Sequence, residues 1–339
     1  MRIAVIGGGG WGLALAKLLA ENSHQVLVWE HDPGFLSTLQ TTGSNPLLLP
    51  NVVMPQSVGF TGDFSALAEF QPQLLLLATP TQFIRASLAQ ISPADQDAIW
   101  NADRLKAVIN VAKGIEENSL LTVSGILREI LPRAIHSRIC TLSGPSHAEE
   151  VARQIPTTVV IAGPDDALLR ELQSVFSNPY FRAYRSSDLI GVELGGAVKN
   201  VIAIAAGIVA GLGFGDNTMG ALLTRGLVEI QRLGVASKAL PETFLGLSGV
   251  GDLITTAISP HSRNRHVGFE IGSGRKLRDI VAEMKMVAEG VVTTKSVFDL
   301  AHQLNVEMPI TTQVHATLYQ DKDPRQAILE LMTRELKAE

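Results

Sequence analysis

Met1-Arg2-Ile3-Ala4-Val5-Ile6-Gly7-Gly8-Gly9-Gly10-Trp11-Gly12 carries the chain from a strand-like apolar run straight into a glycine cluster of the form G-x-G-x-x-G. The stretch that follows, Leu13 to Ala20, has the pattern of an amphipathic helix. A strand, a glycine turn and a helix in this order predict a dinucleotide site. Gly7 permits the tight turn, Gly9 lets backbone amides approach a pyrophosphate, Gly12 allows close packing of helix on strand, and the helix N-terminus stabilises negative charge. A glycine-rich turn without a ligand is the alternative, and the flanking elements weigh against it. The next strand pattern, Val26 to Trp29, ends in Glu30, about 20 residues past the glycines, where an acid can accept hydrogen bonds from ribose hydroxyls. A carboxylate there repels the 2′-phosphate of NADP, whereas neighbouring His31 tolerates it. The pattern therefore favours NAD and leaves NADP open.

Outward from this turn, short runs rich in Val, Ile and Leu recur at Ile3–Ile6, Val26–Trp29, Leu74–Ala78, Ala107–Val111, Ile139–Leu142 and Thr158–Ala162, separated by helix-like segments. Runs apolar on both faces are what a parallel sheet covered by helices produces. The first domain is thus expected to be a Rossmann-type, doubly wound α/β domain over residues 1–187. Beyond Ser187 the strand patterns stop. Helical stretches follow at Leu189–Leu212, Ala221–Leu233, Leu277–Ala288, Thr293–Leu304 and Thr311–Tyr319, broken by glycine- and proline-marked turns. An all-α C-terminal domain over 188–339 is expected to carry substrate and catalysis.

The bulk numbers agree with two domains: 339 residues, 46% hydrophobic and 18% charged. No apolar stretch free of charge reaches the roughly 18–20 residues of a membrane span. Val201 to Gly215 comes nearest and reads as a core helix. The chain enters a strand at once, with no leader pattern, so a cytoplasmic protein is expected. Cys140 is the single cysteine, which excludes an intrachain disulfide. A net charge of -5 without a basic run gives no footprint for nucleic acid.

Ligands of open α/β sheets bind beyond the carboxyl ends of the strands. Ala112-Lys113-Gly114 follows one run, and Ser143-Gly144-Pro145-Ser146-His147-Ala148 follows another. Lys113 is therefore either a cleft residue or a surface lysine. In Leu194 to Ile204 a single cation, Lys199, stands in an apolar, glycine-rich helix. Lysine rarely buries its ammonium without a partner, and in a desolvated cleft it can protonate a developing alkoxide, as ketone reduction requires. Snorkelling from a helix edge is the competing reading. Ser262-Arg263-Asn264-Arg265 offers a hydroxyl, guanidinium and amide side by side as a phosphate grip, or simply solvated charge. Asp252, after Gly249 and Gly251, suits a helix N-cap or a ligand hydroxyl. The eight histidines form no ligand-spaced pair and no G-x-S-x-G elbow occurs, so no metal or serine-nucleophile site is expected.

Taken in order, these motifs resemble the NAD(P)-dependent glycerol-3-phosphate dehydrogenases, in particular the bacterial biosynthetic type, over nearly the whole chain. The segments that carry the resemblance are Gly7–Gly12 with Trp11, Asn45–Pro50, Ala112–Gly114, Ser143–Ser146, Gly195–Asn200, Gly213–Asn217, Leu223–Gly226, Gly249–Asp252, Ser262–Arg265 and Val287–Gly290. It implies reduction of dihydroxyacetone phosphate to sn-glycerol 3-phosphate, the backbone of phospholipids, with Lys199 as proton donor and acceptor. On the same resemblance Lys113, Gly144, Ser146, Lys199, Asp252, Ser262, Arg263 and Asn264 fall on substrate positions. Gly10, Trp11, His31, Ala148, Val287 and Glu289 fall on cofactor positions, with Lys113 and Arg263 serving both. Two residues depart from the pattern: His147, where many relatives have phenylalanine, and Glu30, where a small or basic residue is usual. A homodimer is the expected assembly, given an apolar helical second domain. Two further readings remain: a two-domain hydroxy-acid dehydrogenase, and a regulator that binds NAD without chemistry.

Overall fold

Alternate residues of the central strands are buried against two different cores, and this places the sheet between two layers of helices. Ile3, Val5, Leu74 and Leu76 join one core with Leu15 and Leu172, while Ala4, Ile6, Leu75 and Leu77 join the other with Leu67 and Ile126. The structure is a computed structural model and describes residues 1–101, 103–284, 287–336 and 338. Eight strands make one sheet: β1 (Arg2–Ile6), β2 (Gln25–Trp29), β3 (Val58–Thr61), β4 (Leu74–Leu77), β5 (Ala107–Asn110), β6 (Ile139–Ser143), β7 (Thr157–Ala162) and β8 (Phe181–Ser186). Their order is β3-β2-β1-β4-β5-β6-β7-β8. All neighbours are parallel except β6 and β7. There the link is a loop with the five-residue helix Ala148–Ala152, so the chain re-enters the sheet from the end at which it left. The six expected strands are all present, and β3 and β8 are additional.

The chain divides into two compact units, one of residues 1–113 and 121–192, the other of 114–120 and 193–339. The second unit contains no strand among its described residues. Helices are seen at Leu189–Gly211, Asp216–Ala236, Glu289–Gln303 and Pro309–Tyr319, close to where they are expected. The helix expected over Leu277–Ala288 covers Leu277–Glu283, and its residues 285 and 286 lie outside the described residues. Three more, Asp252–Ile258, Arg263–Gly272 and Pro324–Met332, were not expected. Among the described residues, Leu189–Gly211 is the one helix long and apolar enough to cross a membrane, and 89% of its most apolar window is buried inside the protein.

Glycines decide how closely the second unit's helices pack. A Cβ on Gly268 would run into the Ile204 carbonyl and lie 3.0 Å from the Gly207 Cα. One on Gly272 would lie 2.5 Å from the Ile208 oxygen and 3.0 Å from the Gly211 Cα. Pairs of glycines four residues apart therefore face each other across helices Leu189–Gly211 and Arg263–Gly272, which touch backbone to backbone.

Candidate active site

The first turn of helix Gly10–Glu21 has no side-chain cap and no acidic residue, so its amides remain available to an anion. Gly7 takes φ +115°, a region that favours glycine, and its amide donates to Trp29 O at 3.0 Å. A Cβ on Gly12 would meet the Gly7 carbonyl and approach the Ala78 Cβ to 3.1 Å, whereas one on Gly9 would meet nothing within 4 Å. Helix and strand are thus pressed together while the backbone at Gly9 stays open for a ligand. Gly10 lies 2.5 Å, measured from a built Cβ, from the Leu48 carbonyl and 3.9 Å from the Ala148 Cβ, which brings Ala148 to this turn. Two buried donors near it, Trp11 Nε1 and Asn45 Nδ2, have no acceptor. Open backbone, uncapped amides and unsatisfied donors together fit a pyrophosphate, whose oxygens only accept.

Glu30 is 4% exposed and lies beside this turn. Its Oε1 accepts from the Asp32 amide at 2.8 Å and stands 3.0 Å from His31 Nδ1, while Oε2 would be 2.6 Å from a Cβ on Gly8. His31 itself is largely exposed.

A second group gathers at the ends of β5 and β6. Lys113 Nζ and Ser146 Oγ both donate to Gly144 O, each at 2.9 Å, and Gly144 takes φ +126°. Asn110, fully buried, shapes the turn into Lys113: its Oδ1 accepts from the Ala112 amide at 2.9 Å and its Nδ2 donates to Ala112 O at 3.1 Å. Sequence reasoning passed over Asn110, although a polar residue closing an apolar strand run was the signal.

The third group lies in the helical unit. Lys199, 5% exposed, donates to Asp252 Oδ1 at 2.9 Å and to Thr256 Oγ1 at 2.5 Å, and Thr256 Oγ1 in turn donates to Asp252 Oδ1 at 3.2 Å. Lys199 is therefore not the solitary cation that its own helix suggests. A carboxylate at contact offsets the desolvation that an isolated buried ammonium would suffer. Gly195, one turn before Lys199, makes this possible: a Cβ there would lie 2.6 Å from Ser248 O, so the π-helical turn Leu247–Gly251 rests on the helix and delivers Asp252. The N-cap of helix Asp252–Ile258 is Gly251, and the Asp252 carboxylate turns to Lys199. Thr256 was missed. Its spacing of four from Asp252 on one helix face could have found it.

At the start of helix Arg263–Gly272, Ser262 Oγ accepts from the Arg265 amide at 3.1 Å, which makes it the N-cap. The exposed Arg263 donates from Nη1 to Val287 O at 2.7 Å. Asn264 Oδ1 accepts from the Gly290 amide at 3.0 Å, leaving its NH₂ as the end able to reach a ligand oxygen. A Cβ on Gly290 would also lie 3.0 Å from Asn200 O, so the segment with Val287 and Glu289 meets both helices here. The predicted residues thus form three clusters. Gly7, Gly9, Gly10, Trp11, Gly12, Glu30, His31 and Ala148 surround the glycine turn, and Lys113, Gly144 and Ser146 share one carbonyl. The rest fall in the helical unit.

Models of two domains match this architecture: the NAD-dependent glycerol-3-phosphate dehydrogenase N-terminus over residues 2–169 and the C-terminus of the same family over 188–329. The chain belongs to the NAD-dependent glycerol-3-phosphate dehydrogenase family. It is 49% identical over 338 residues to a glycerol-3-phosphate dehydrogenase [NAD(P)+] of Geobacter sp. (strain M21), covering 100% of this chain and 98% of that one. A namesake from Syntrophotalea carbinolica is 46% identical, covering 100% and 99%. The crystal structure of glycerol-3-phosphate dehydrogenase from Coxiella burnetii superposes with a TM-score of 0.88 at 33% identity, covering 98% of this chain and 99% of that one.

Proposed function

We propose that the chain catalyses the reversible, NAD(P)H-dependent reduction of dihydroxyacetone phosphate to sn-glycerol 3-phosphate, in the cytoplasm, as a supplier of glycerophospholipid synthesis. The observation that carries this reading is the buried Lys199–Asp252–Thr256 triad, a fixed proton donor of the kind that ketone reduction needs, in a chain that belongs to this family throughout its length. When bound, the reduced nicotinamide supplies the hydride. Lys199 Nζ gives its proton to the carbonyl oxygen as negative charge develops there, and takes it back in the oxidative direction. Asp252 and Thr256 hold Nζ in place, so the proton is delivered along one direction. Arg263 and the Asn264 amide neutralise and orient the substrate phosphate, with Ser262 holding their helix start. Lys113, Gly144 and Ser146 complete the substrate loop of the first unit. The glycine turn, Glu30, His31, Ala148, Val287 and Glu289 receive the coenzyme. The first unit is then the dinucleotide-binding domain and the second the substrate domain, and the active species is a homodimer.

The deciding assay follows NADH and NADPH oxidation by the full chain with dihydroxyacetone phosphate, beside unphosphorylated ketones and 2-keto acids. Turnover with the phosphate ester alone is expected. Preference for a 2-keto acid would transfer the chain to the hydroxy-acid reading, and coenzyme binding without any turnover to a sensor.

A further inference from the structure

Asn45 begins the segment Asn45–Pro50, which carries part of the family resemblance yet has no part in the proposed reaction. It belongs to a strap between helix Pro33–Thr42 and β3, closed at its base by a bridge between Ser44 and Val53. The strap is anchored from below by Leu49, Val52 and Met54 in the core. Its turn is held by Asn45 three times over: the Asn45 carbonyl accepts from the Leu48 and Leu49 amides at 3.2 and 2.9 Å, and Oδ1 accepts from the Leu48 amide at 3.1 Å. The Leu48 carbonyl then reaches Gly10, at the head of the helix whose amides await an anion.

Because Leu48 N–H donates to the side chain, the atom it meets is the oxygen, and the other end of the amide is the NH₂. That NH₂ is sealed inside the protein, on a residue 3% exposed, with no acceptor. A buried donor left unpaired costs about 1–3 kcal/mol. No part of the strap's own geometry needs it, since Oδ1 and the main chain already hold the turn. Trp11 Nε1, in the first turn of the same helix, is a second buried donor without an acceptor. Both unsatisfied groups are donors and neither is an acceptor, which matches a ligand made only of acceptor oxygens.

We infer that Asn45 is a coenzyme-binding residue: its Nδ2 donates to a phosphate oxygen of the bound dinucleotide, with Trp11 Nε1 as a companion donor. This rests on the dehydrogenase reading for the identity of the ligand, but its test needs no turnover. Asn45→Asp keeps the oxygen that receives the Leu48 amide and replaces the donor with an acceptor. Burying that carboxylate lowers stability whatever the role of the residue, so coenzyme affinity is the quantity read, and Asn45→Ala, which adds no charge, separates loss of the donor from repulsion of the phosphates.

The experiment titrates the full chain with NADH, without substrate, by coenzyme fluorescence, and repeats the titration calorimetrically with ADP-ribose, which has the pyrophosphate but no nicotinamide. Asn45→Asp is expected to raise the Kd of both by roughly ten- to a hundredfold, the scale of a lost hydrogen bond to a charged group. Trp11→Phe, which keeps the ring and loses the N–H, is expected to raise both by a smaller factor. Should Asn45→Asp fail to fold, Asn45→Ala is read by the same criteria, together with the shrinkage of the NADH-induced rise in melting temperature. An Asn45 variant that binds NADH within about twofold of the parent overturns the inference. So does one that weakens NADH but leaves ADP-ribose unchanged, or one that instead raises the KM of dihydroxyacetone phosphate at unchanged coenzyme Kd. Failure of the dehydrogenase reading shows differently, as a parent protein that binds NADH and reduces no phosphorylated ketone.

Discussion

Removing Lys199, and then its counter-ion, separates what the buried pair does for the fold from what it does for turnover. Nζ lies 2.9 Å from Asp252 Oδ1, and the two residues are only 5% and 2% exposed. Lys199→Met strands a carboxylate in the interior, at a cost of about 3–5 kcal/mol. In a unit of roughly 150 residues each kcal/mol shifts the melting midpoint by roughly 2–4 °C, so a fall of roughly 6–20 °C is expected. Adding Asp252→Asn removes the stranded charge and should return most of that loss. Turnover follows a different course. Loss of a positioned proton donor lowers kcat by about a hundred- to ten-thousandfold, and the second substitution does not restore it. Circular dichroism melting and NADH oxidation on the same preparations read the two quantities, with the coenzyme Kd as a control that should not move. A double variant no more stable than the single one would show that the ammonium does not compensate Asp252. A single variant that retains turnover within about tenfold would remove Lys199 from proton transfer.

Two other substitutions address the helical unit. Gly268→Ala places a methyl against the Ile204 carbonyl and must separate a pair of helices that touch at their backbones, costing about 1–3 kcal/mol less the gain of about 1 kcal/mol in helix propensity. Because Arg263 and Asn264 open the displaced helix and bond to Val287 O and the Gly290 amide, the KM for dihydroxyacetone phosphate and the coenzyme Kd should both rise, and unchanged values of both would refute that linkage. Glu229 is the second case: burial pushes its carboxyl up from 4.5 to about 7, against hydrogen bonds from the Ile310 and Thr311 amides and the Thr311 hydroxyl that pull it down. The folded state then holds the proton more tightly than the unfolded one, so this contribution is full below pH 4.5 and is lost as pH rises through about 7. Its whole size is about 3 kcal/mol. Urea midpoints of the parent and of Glu229→Gln, compared at pH 5 and pH 8, should diverge by most of that amount, and parallel profiles would contradict it.

The sheet was legible because its strands are buried on both faces and read as unbroken apolar runs. β3 escaped notice because it has four residues and follows the strap. β8 is an edge strand whose Arg182, Tyr184 and Arg185 are exposed, so only Phe181 and Ala183 mark it as part of the core. The glycine turn and the strand-end Lys113 could be placed because their positions follow from the topology of an open α/β sheet. Lys199 was visible as an oddity, but its counter-ion lies 53 residues further on, and no periodicity links a residue of one helix to a residue of another across a packed interface. The facing glycine pairs did leave a mark in the sequence, at Gly207 and Gly211 and again at Gly268 and Gly272. Each pair by itself looked like helix interior or turn, and only the packed backbones show that they belong together.

Two buried carboxylates in the helical unit differ in their partners, and on the proposed mechanism one of them serves the chemistry and the other the architecture. Glu229 is 2% exposed, and its oxygens are met by backbone and hydroxyl donors at the start of helix Pro309–Tyr319. Those donors cannot leave, so the carboxylate acts as a fixed cap and its titration alters stability alone. Asp252 is buried as deeply, but its contacts with Lys199 and Thr256 lie on side chains, and one of these carries a transferable proton. A buried ion pair is a poor way to gain stability, since apolar side chains of similar volume would do as well. The glycine at 195, which lowers helix propensity, and the π-helical turn it admits are both arranged to bring Asp252 to Lys199. Unfavourable local choices that converge on one ammonium are what the proposed proton transfer from Lys199 to a substrate oxygen would account for.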